Sequence, residues 1–124
     1  MTKPDVTLPD GEPSGKALAS EDLIVGDGDE AVPGKNVEMH YVGVSWNTGN
    51  QFDASWDRGD TFSCRLGAGQ VIPGWEQGVP GMKVGGRRKL VIPPALAYGA
   101  AGAGGVIGPN EHLVFVIDLV SVTD

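Results

Sequence analysis

The sequence has a single cysteine, Cys64, in 124 residues, so no internal disulfide can form. That economy fits a reducing compartment, and a cytoplasmic location is expected. A nucleophilic thiol needs a neighbouring base, and no residue pattern supplies one, so Cys64 reads as a small buried hydrophobe. No apolar run approaches the ~18 residues of a membrane span. The first twenty residues lack the basic start and apolar stretch of a secretory signal, so no membrane association is expected. Basic residues are few, and no broad positive footprint for nucleic acid appears. His40 and His112 have no partner at metal-ligand spacing and read as structural, so no metal site is expected.

Two fragments resemble ligand loops and fail on inspection. Asp27-Gly28-Asp29 begins like a calcium loop, but in register Ala31 falls where an oxygen ligand belongs and Val32 where the turn needs glycine. Gly81-x-x-x-x-Gly86-Arg87-Arg88 precedes a strand rather than a helix, so the phosphate cradle at a helix N-terminus is missing. Arg87-Arg88-Lys89 reads as a solvated strand edge rather than a nucleic-acid patch. No Gly-x-Ser-x-Gly elbow is present.

What the chain does have is glycine and proline, 20 and 9, which favour strands and turns over long helices. Hydrophobic residues at 40% allow one ordinary core, hence one domain. Of the net charge of −7, residues 1–30 carry −6, through eight acids and two bases, so the remainder is nearly neutral. Residues 1–20 lack periodicity and read as a disordered acidic tail, leaving 21–124 as the domain.

The periodicities predict strands at Leu23-Ile24-Val25, from Val37 through Tyr41, over Thr61–Leu66, over Arg87–Ile92 and over His112–Val122. Val37, Met39 and Tyr41 share one face, as do Phe62, Cys64 and Leu66, and Leu113, Phe115, Ile117 and Leu119. Pro73 is suited to open a helix, and Pro80-Gly81 ends it within about two turns. A glycine-rich loop occupies residues 99–108. The pattern is an α+β or mostly-β antiparallel sheet. Six of the eight aromatics, Tyr41, Phe52, Phe62, Trp75, Tyr98 and Phe115, lie on different segments. Spacing alone leaves open whether they form an ordinary core or the wall of an apolar pocket.

The words around those aromatics are more specific. Val37-x-x-His40-Tyr41-x-Gly43, Phe52-Asp53-x-Ser55, Val71-Ile72-x-Gly74-Trp75, Met82-x-Val84-Gly85, Leu96-Ala97-Tyr98-Gly99 and Leu113-x-Phe115 occur in this order. Together they resemble the signature of FKBP-type prolyl isomerases, from about Glu21 to the C-terminus. The resemblance implies an FKBP-like α+β fold, a twisted antiparallel sheet of five or six strands curled around one short helix. It implies a prolyl pocket with the Trp75 indole as floor and Tyr41, Phe62, Val71, Ile72 and Phe115 as walls, with Phe52 and Ile107 beside them. By the same resemblance Tyr98 gives a hydroxyl hydrogen bond, Ile72 N–H takes a ligand carbonyl, and Asp53 is the pocket carboxylate, steadied by Arg58.

The resemblance implies cis/trans isomerisation of X-Pro bonds in folding proteins, without metal or cofactor. Its implied partners are proline-containing peptides, unfolded or partly folded proteins, and the macrolides tacrolimus and rapamycin, with the chain a monomer. Ala103 stands where many members carry a larger loop residue, Gln70 replaces a common acid, and Arg88 replaces a small residue. The loop from Val44 to Gln51 is one residue longer than in the shortest members. Two rival readings differ in class: a proline-binding or chaperone-like module with little turnover, and an acidic interaction protein acting through residues 1–30. Retention of all the pocket aromatics favours the enzyme over the binding module.

Overall fold

The computed structural model describes residues 2–124. Six antiparallel strands, β1 (Ala19–Ile24), β2 (Asn36–Ser45), β3 (Gln51–Ala54), β4 (Phe62–Arg65), β5 (Arg87–Ile92) and β6 (Leu113–Thr123), make one open sheet. The order is β1-β5-β6-β2-β3, with β4 also paired to β2. Two short helices, α1 (Ser55–Arg58) and α2 (Pro73–Gly78), complete the regular structure with two 3-10 turns.

Alternation along β2 decides which side becomes the core. Val37, Met39 and Tyr41 are buried together with Leu90 and Ile92 of β5 and Leu113, Phe115, Ile117 and Leu119 of β6. A one-residue slip would turn this set toward solvent, so burial on one face fixes the β2–β6 register, in which Tyr41 faces Ile117 and Gly43 faces Phe115. One edge of β2 is shared: β4 covers its first half through Met39, and β3 covers Val42 onward. Tyr41 lies at the change of partner, and there its backbone N–H donates to Ser55 Oγ (2.6 Å) at the start of α1. A side-chain hydroxyl thus takes the place of a missing ladder bond.

The helix α2 lies against β5 through two glycines one turn apart. A Cβ on Gly74 would come within 2.6 Å of Ile92 Cγ2, and one on Gly78 within 2.7 Å of Leu90 Cδ1. Only glycine permits that approach, and Trp75, next in the chain to Gly74, is thereby carried into the concave side of the sheet. Pro73 occupies the first helical position, as expected, after an extended Ile72.

Four expectations change. The first strand is Ala19–Ile24 rather than Leu23–Val25; it is exposed along its length, so no alternation marks it, and the expected boundary at residue 20 falls inside it. The helix α1 was not foreseen, because four residues show no 3.6-residue period; it ends at Gly59 with φ of 74°. The structure accordingly has two short helices rather than one. Finally, Arg87-Arg88-Lys89 is no solvated edge. β1 covers that side of β5, Arg87 Nε donates to Asp118 Oδ1 (2.6 Å), and Arg88 pairs with Asp22 and donates to the carbonyls of Gly78 and Pro80.

Residues 2–18 adopt no helix or strand. Val6 and Leu8 nevertheless pack, as Trp56 does, on Val42, Val44 and Ala54, on the face of the sheet away from the main core. Lys3 reaches Asp57 at 2.8 Å. His40 stacks on Trp56, with centroids 4.1 Å apart and planes at 17°, while His112 packs edge-on to Trp46.

Candidate active site

The concave side of the sheet holds an open cleft of about 380 Å³, lined by Tyr41, Phe52, Asp53, Phe62, Gly69, Gln70, Val71, Ile72, Trp75, Tyr98 and Phe115. Trp75 is its organising residue. Its ring stands nearly perpendicular to Tyr41 (5.0 Å, 75°), Phe62 (5.8 Å, 83°) and Phe115 (5.2 Å, 86°), in the edge-to-face geometry that aromatic quadrupoles favour. Phe52 closes the far wall against Phe115 at 5.5 Å and 89°. Gly43 makes that pair possible, since a Cβ there would lie 2.6 Å from Phe52 Cζ and 2.7 Å from Phe115 Cε1.

Polar groups are confined to the edge. The Tyr41 hydroxyl donates to Asp53 Oδ2 (2.5 Å) and accepts from Arg58 Nη2 (2.9 Å), while Arg58 Nη1 donates to Asp53 Oδ1. The guanidinium also lies 5.6 Å from the Tyr41 ring centroid. Burial, and then the bond to Asp53, push the Tyr41 hydroxyl above the ordinary tyrosine range. Burial, with Asp53 behind it, does the same to Tyr98. Both hydroxyls are therefore neutral hydrogen-bonding groups near pH 7. Asp53 and Arg58 are both substantially solvent-exposed, so their ion pair contributes little to stability, about 0–1 kcal/mol.

Ile72 sits at the lip, where α2 begins. Its carbonyl accepts from Trp75 N (2.9 Å) and Glu76 N (3.2 Å), whereas its own N–H has no acceptor among the described residues. Tyr98 stands on the rim and is 39% exposed, against 5% for Trp75. Gln70 is held by Arg65, whose N–H donates to Gln70 Oε1 (2.9 Å).

Nine of the ten residues expected at the pocket line this cleft: Tyr41, Phe52, Asp53, Phe62, Val71, Ile72, Trp75, Tyr98 and Phe115. Arg58 is at its edge through Tyr41 and Asp53. The exception is Ile107, which is buried in the core cluster behind the rim and does not line the cleft. Its place at the base of the glycine-rich loop turns it inward. The lining residues Gly69 and Gln70 precede Val71-Ile72, and no periodic signal marked them as cleft residues. Cys64 is buried as expected, and burial raises its thiol to about 11.

Fold and cleft together define a small antiparallel α+β domain with an aromatic-walled binding bowl. The family model described as FKBP-type peptidyl-prolyl cis-trans isomerase matches residues 28–120, and the chain belongs to that family of isomerases. It is 59% identical to a FK506-binding protein of Streptomyces anulatus, over 98% of this chain and 98% of that protein. It is 47% identical to the peptidyl-prolyl cis-trans isomerase FPR2 of Saccharomyces cerevisiae, over 86% of this chain and 76% of that one. Among solved structures, AtFKBP13 is similar with a TM-score of 0.78 and 43% identity, covering 84% of this chain and 91% of that one. FkpA from Escherichia coli is similar with a TM-score of 0.78 and 42% identity, covering 86% of this chain and 48% of that one.

Proposed function

We propose that the bowl accelerates X-Pro rotation noncovalently, by favouring the twisted amide over the planar one. The barrier is about 18–20 kcal/mol because amide resonance must be broken, while the X-Pro isomers differ by only about 0.5–1 kcal/mol. A planar amide is dipolar and well solvated by water. The twisted form has lost conjugation, so it sacrifices less on entering a site walled by Tyr41, Phe62, Trp75 and Phe115. Such a site binds the transition state better than the ground state, which is the condition for catalysis.

The prolyl ring rests on the Trp75 indole. The free Ile72 N–H takes a carbonyl of the flanking chain, and the neutral Tyr98 hydroxyl supplies a second hydrogen bond at the rim. These anchors hold the chain while one bond turns. Asp53 acts through Tyr41 and Arg58 to keep the wall in place and transfers no proton. The substrates are proline-containing segments of unfolded and partly folded proteins. Tacrolimus and rapamycin occupy the same bowl, a reading supported by the FK506-binding relative.

The arrangement of three rings around one indole, with a free backbone donor at the lip, carries this reading. Refolding of a proline-limited protein, followed without protease, tests it. Catalytic amounts of the chain accelerate the slow phase, and an equimolar macrolide suppresses the acceleration. Peptide binding without acceleration would replace the enzyme by a proline-recognition module.

A further inference from the structure

The glycine-rich segment that follows Tyr98 at the rim has few side chains with which to hold itself. Residues 99–108 include five glycines, and Val106 at the tip is 64% exposed. Backbone bonds close the segment on itself: Ala103 N–H donates to Ile107 O (2.9 Å), and Ile107 N–H to Ala103 O (3.1 Å). A Cβ on Gly102 would lie 2.2 Å from Ile107 O, so the closure depends on glycine. None of these bonds ties the segment to the sheet.

Glu111 does. Its side chain lies between the loop and the end of β2, and only 9% of the residue is exposed. Oε2 accepts from Gly108 N–H at the loop's base, and Oε1 accepts from the hydroxyl of Ser45, which is 1% exposed. The Ser45 oxygen is itself oriented by Thr48 N–H (3.2 Å). A Cβ on Gly108 would stand 2.9 Å from Glu111 Oε2, so glycine is what lets the carboxylate reach the backbone. A buried carboxylate is costly unless hydrogen-bonded, and here the bonds it needs join the base of the loop to the end of β2.

We propose that Glu111 is a positioning residue that clamps the glycine-rich rim to β2, and that this clamp sets how tightly the isomerase grips its substrate. The proposal rests on the bowl being the catalytic site. Through Gly108 the clamp fixes the neighbouring Ile107, and through the Ala103–Ile107 closure it fixes the chain that leads back to Tyr98. Without it the rim must be ordered at each binding event. That cost falls equally on the ground-state complex and the transition state, so it raises KM and leaves kcat in place.

The test compares the wild type with Glu111→Ala, Glu111→Gln and Ser45→Ala, by steady-state kinetics on a prolyl peptide and by hydrogen exchange of the Gly108 and Ile107 amides without substrate. Glu111→Ala is expected to raise KM about tenfold, the usual scale for a hydrogen bond to a charged group, with kcat within about twofold. Exchange at both amides rises about tenfold or more. Glu111→Gln, whose amide can accept from Gly108 and donate to Ser45 Oγ, restores most of the affinity. Ser45→Ala, with one anchor removed, falls between; it decides the matter if Glu111→Ala does not fold. Unchanged exchange and KM in folded Glu111→Ala would overturn the clamp, as would a Gln variant no better than Ala or a loss confined to kcat. If the wild type showed no turnover, the isomerase mechanism would fail, and amide exchange alone would still decide whether the clamp exists.

Discussion

Phe115 stands 5.2 Å from Trp75 with its ring turned 86° to the indole, and it also stands 5.5 Å from Phe52 at 89°. One side chain of the central strand β6 therefore supports the floor and the far wall of the cleft together. Phe115→Leu keeps an apolar residue there but removes both edge-to-face contacts. It is expected to lower kcat/KM about tenfold, an aromatic pair being worth roughly 0.5–1.5 kcal/mol beyond its area. Macrolide affinity falls in parallel, measured by titration of indole fluorescence. A normal kcat/KM in this variant would mean that the rings are core rather than catalytic wall.

Asp53 tests whether a proton moves. Its bonds go to Tyr41 and Arg58 at the exposed edge of the cleft, and a noncovalent mechanism asks of it only that the wall stay in place. Asp53→Asn should retain at least about a third of wild-type kcat/KM, with a solvent deuterium isotope effect near unity for both proteins. Abolished turnover in a correctly folded Asp53→Asn would require a role for the carboxylate that the proposed mechanism lacks.

Gly74 separates helix propensity from packing. Alanine is better than glycine in a helix interior by about 1 kcal/mol, so propensity alone predicts that Gly74→Ala stabilises α2. The Cβ would, however, meet Ile92 Cγ2 at 2.6 Å and Cδ1 at 2.7 Å. Overpacking of this kind costs about 1–3 kcal/mol, so the variant should be less stable, and lifting the helix should displace Trp75 and lower activity. Adding Ile92→Val removes Cδ1, one of the three contacting atoms, and should recover part of both losses. Chemical denaturation of the two variants checks the sign.

The same glycines show where sequence reading stops. Tyr41, Phe62, Trp75 and Phe115 are legible as a set, because strand alternation places Tyr41, Phe62 and Phe115 on inward faces and the motif words contain Tyr41, Trp75 and Phe115. Gly43 and Gly74 stand in two of those words and Gly78 in none, but no local pattern says why glycine is needed: what makes all three necessary is a phenyl ring or a β5 side chain distant in the chain. Ser45 and Glu111 are 66 residues apart, and neither local pattern nor resemblance joins them. The helix α1 is too short to be periodic, and β1 is exposed throughout, so each lacked the pattern by which an element announces itself. Ile107 was assigned to the cleft through resemblance, yet the closure with Ala103 buries it behind the rim.

Alkaline stability tests the burial of the core itself. Burial raises the Cys64 thiol from 9.0 to about 11, with Glu76 adding to the shift in the same direction. Tyr41 and Tyr98 are shifted upward as well, again chiefly by burial. For a group whose pKa is higher when folded, the native state binds more protons than the unfolded state between the two values, so stability falls with rising pH there. The Cys64 contribution is complete below about 9 and lost as pH passes about 11; two pKa units correspond to roughly 2–3 kcal/mol. Urea denaturation of the wild type should thus show a midpoint that declines across this window. Cys64→Ala, although less stable near pH 7 for want of the sulfur, should decline less steeply there, because the raised thiol no longer contributes to the difference in bound protons. Parallel declines in the two proteins would show that Cys64 is not held neutral by its surroundings, and that the β4 side of the core admits water.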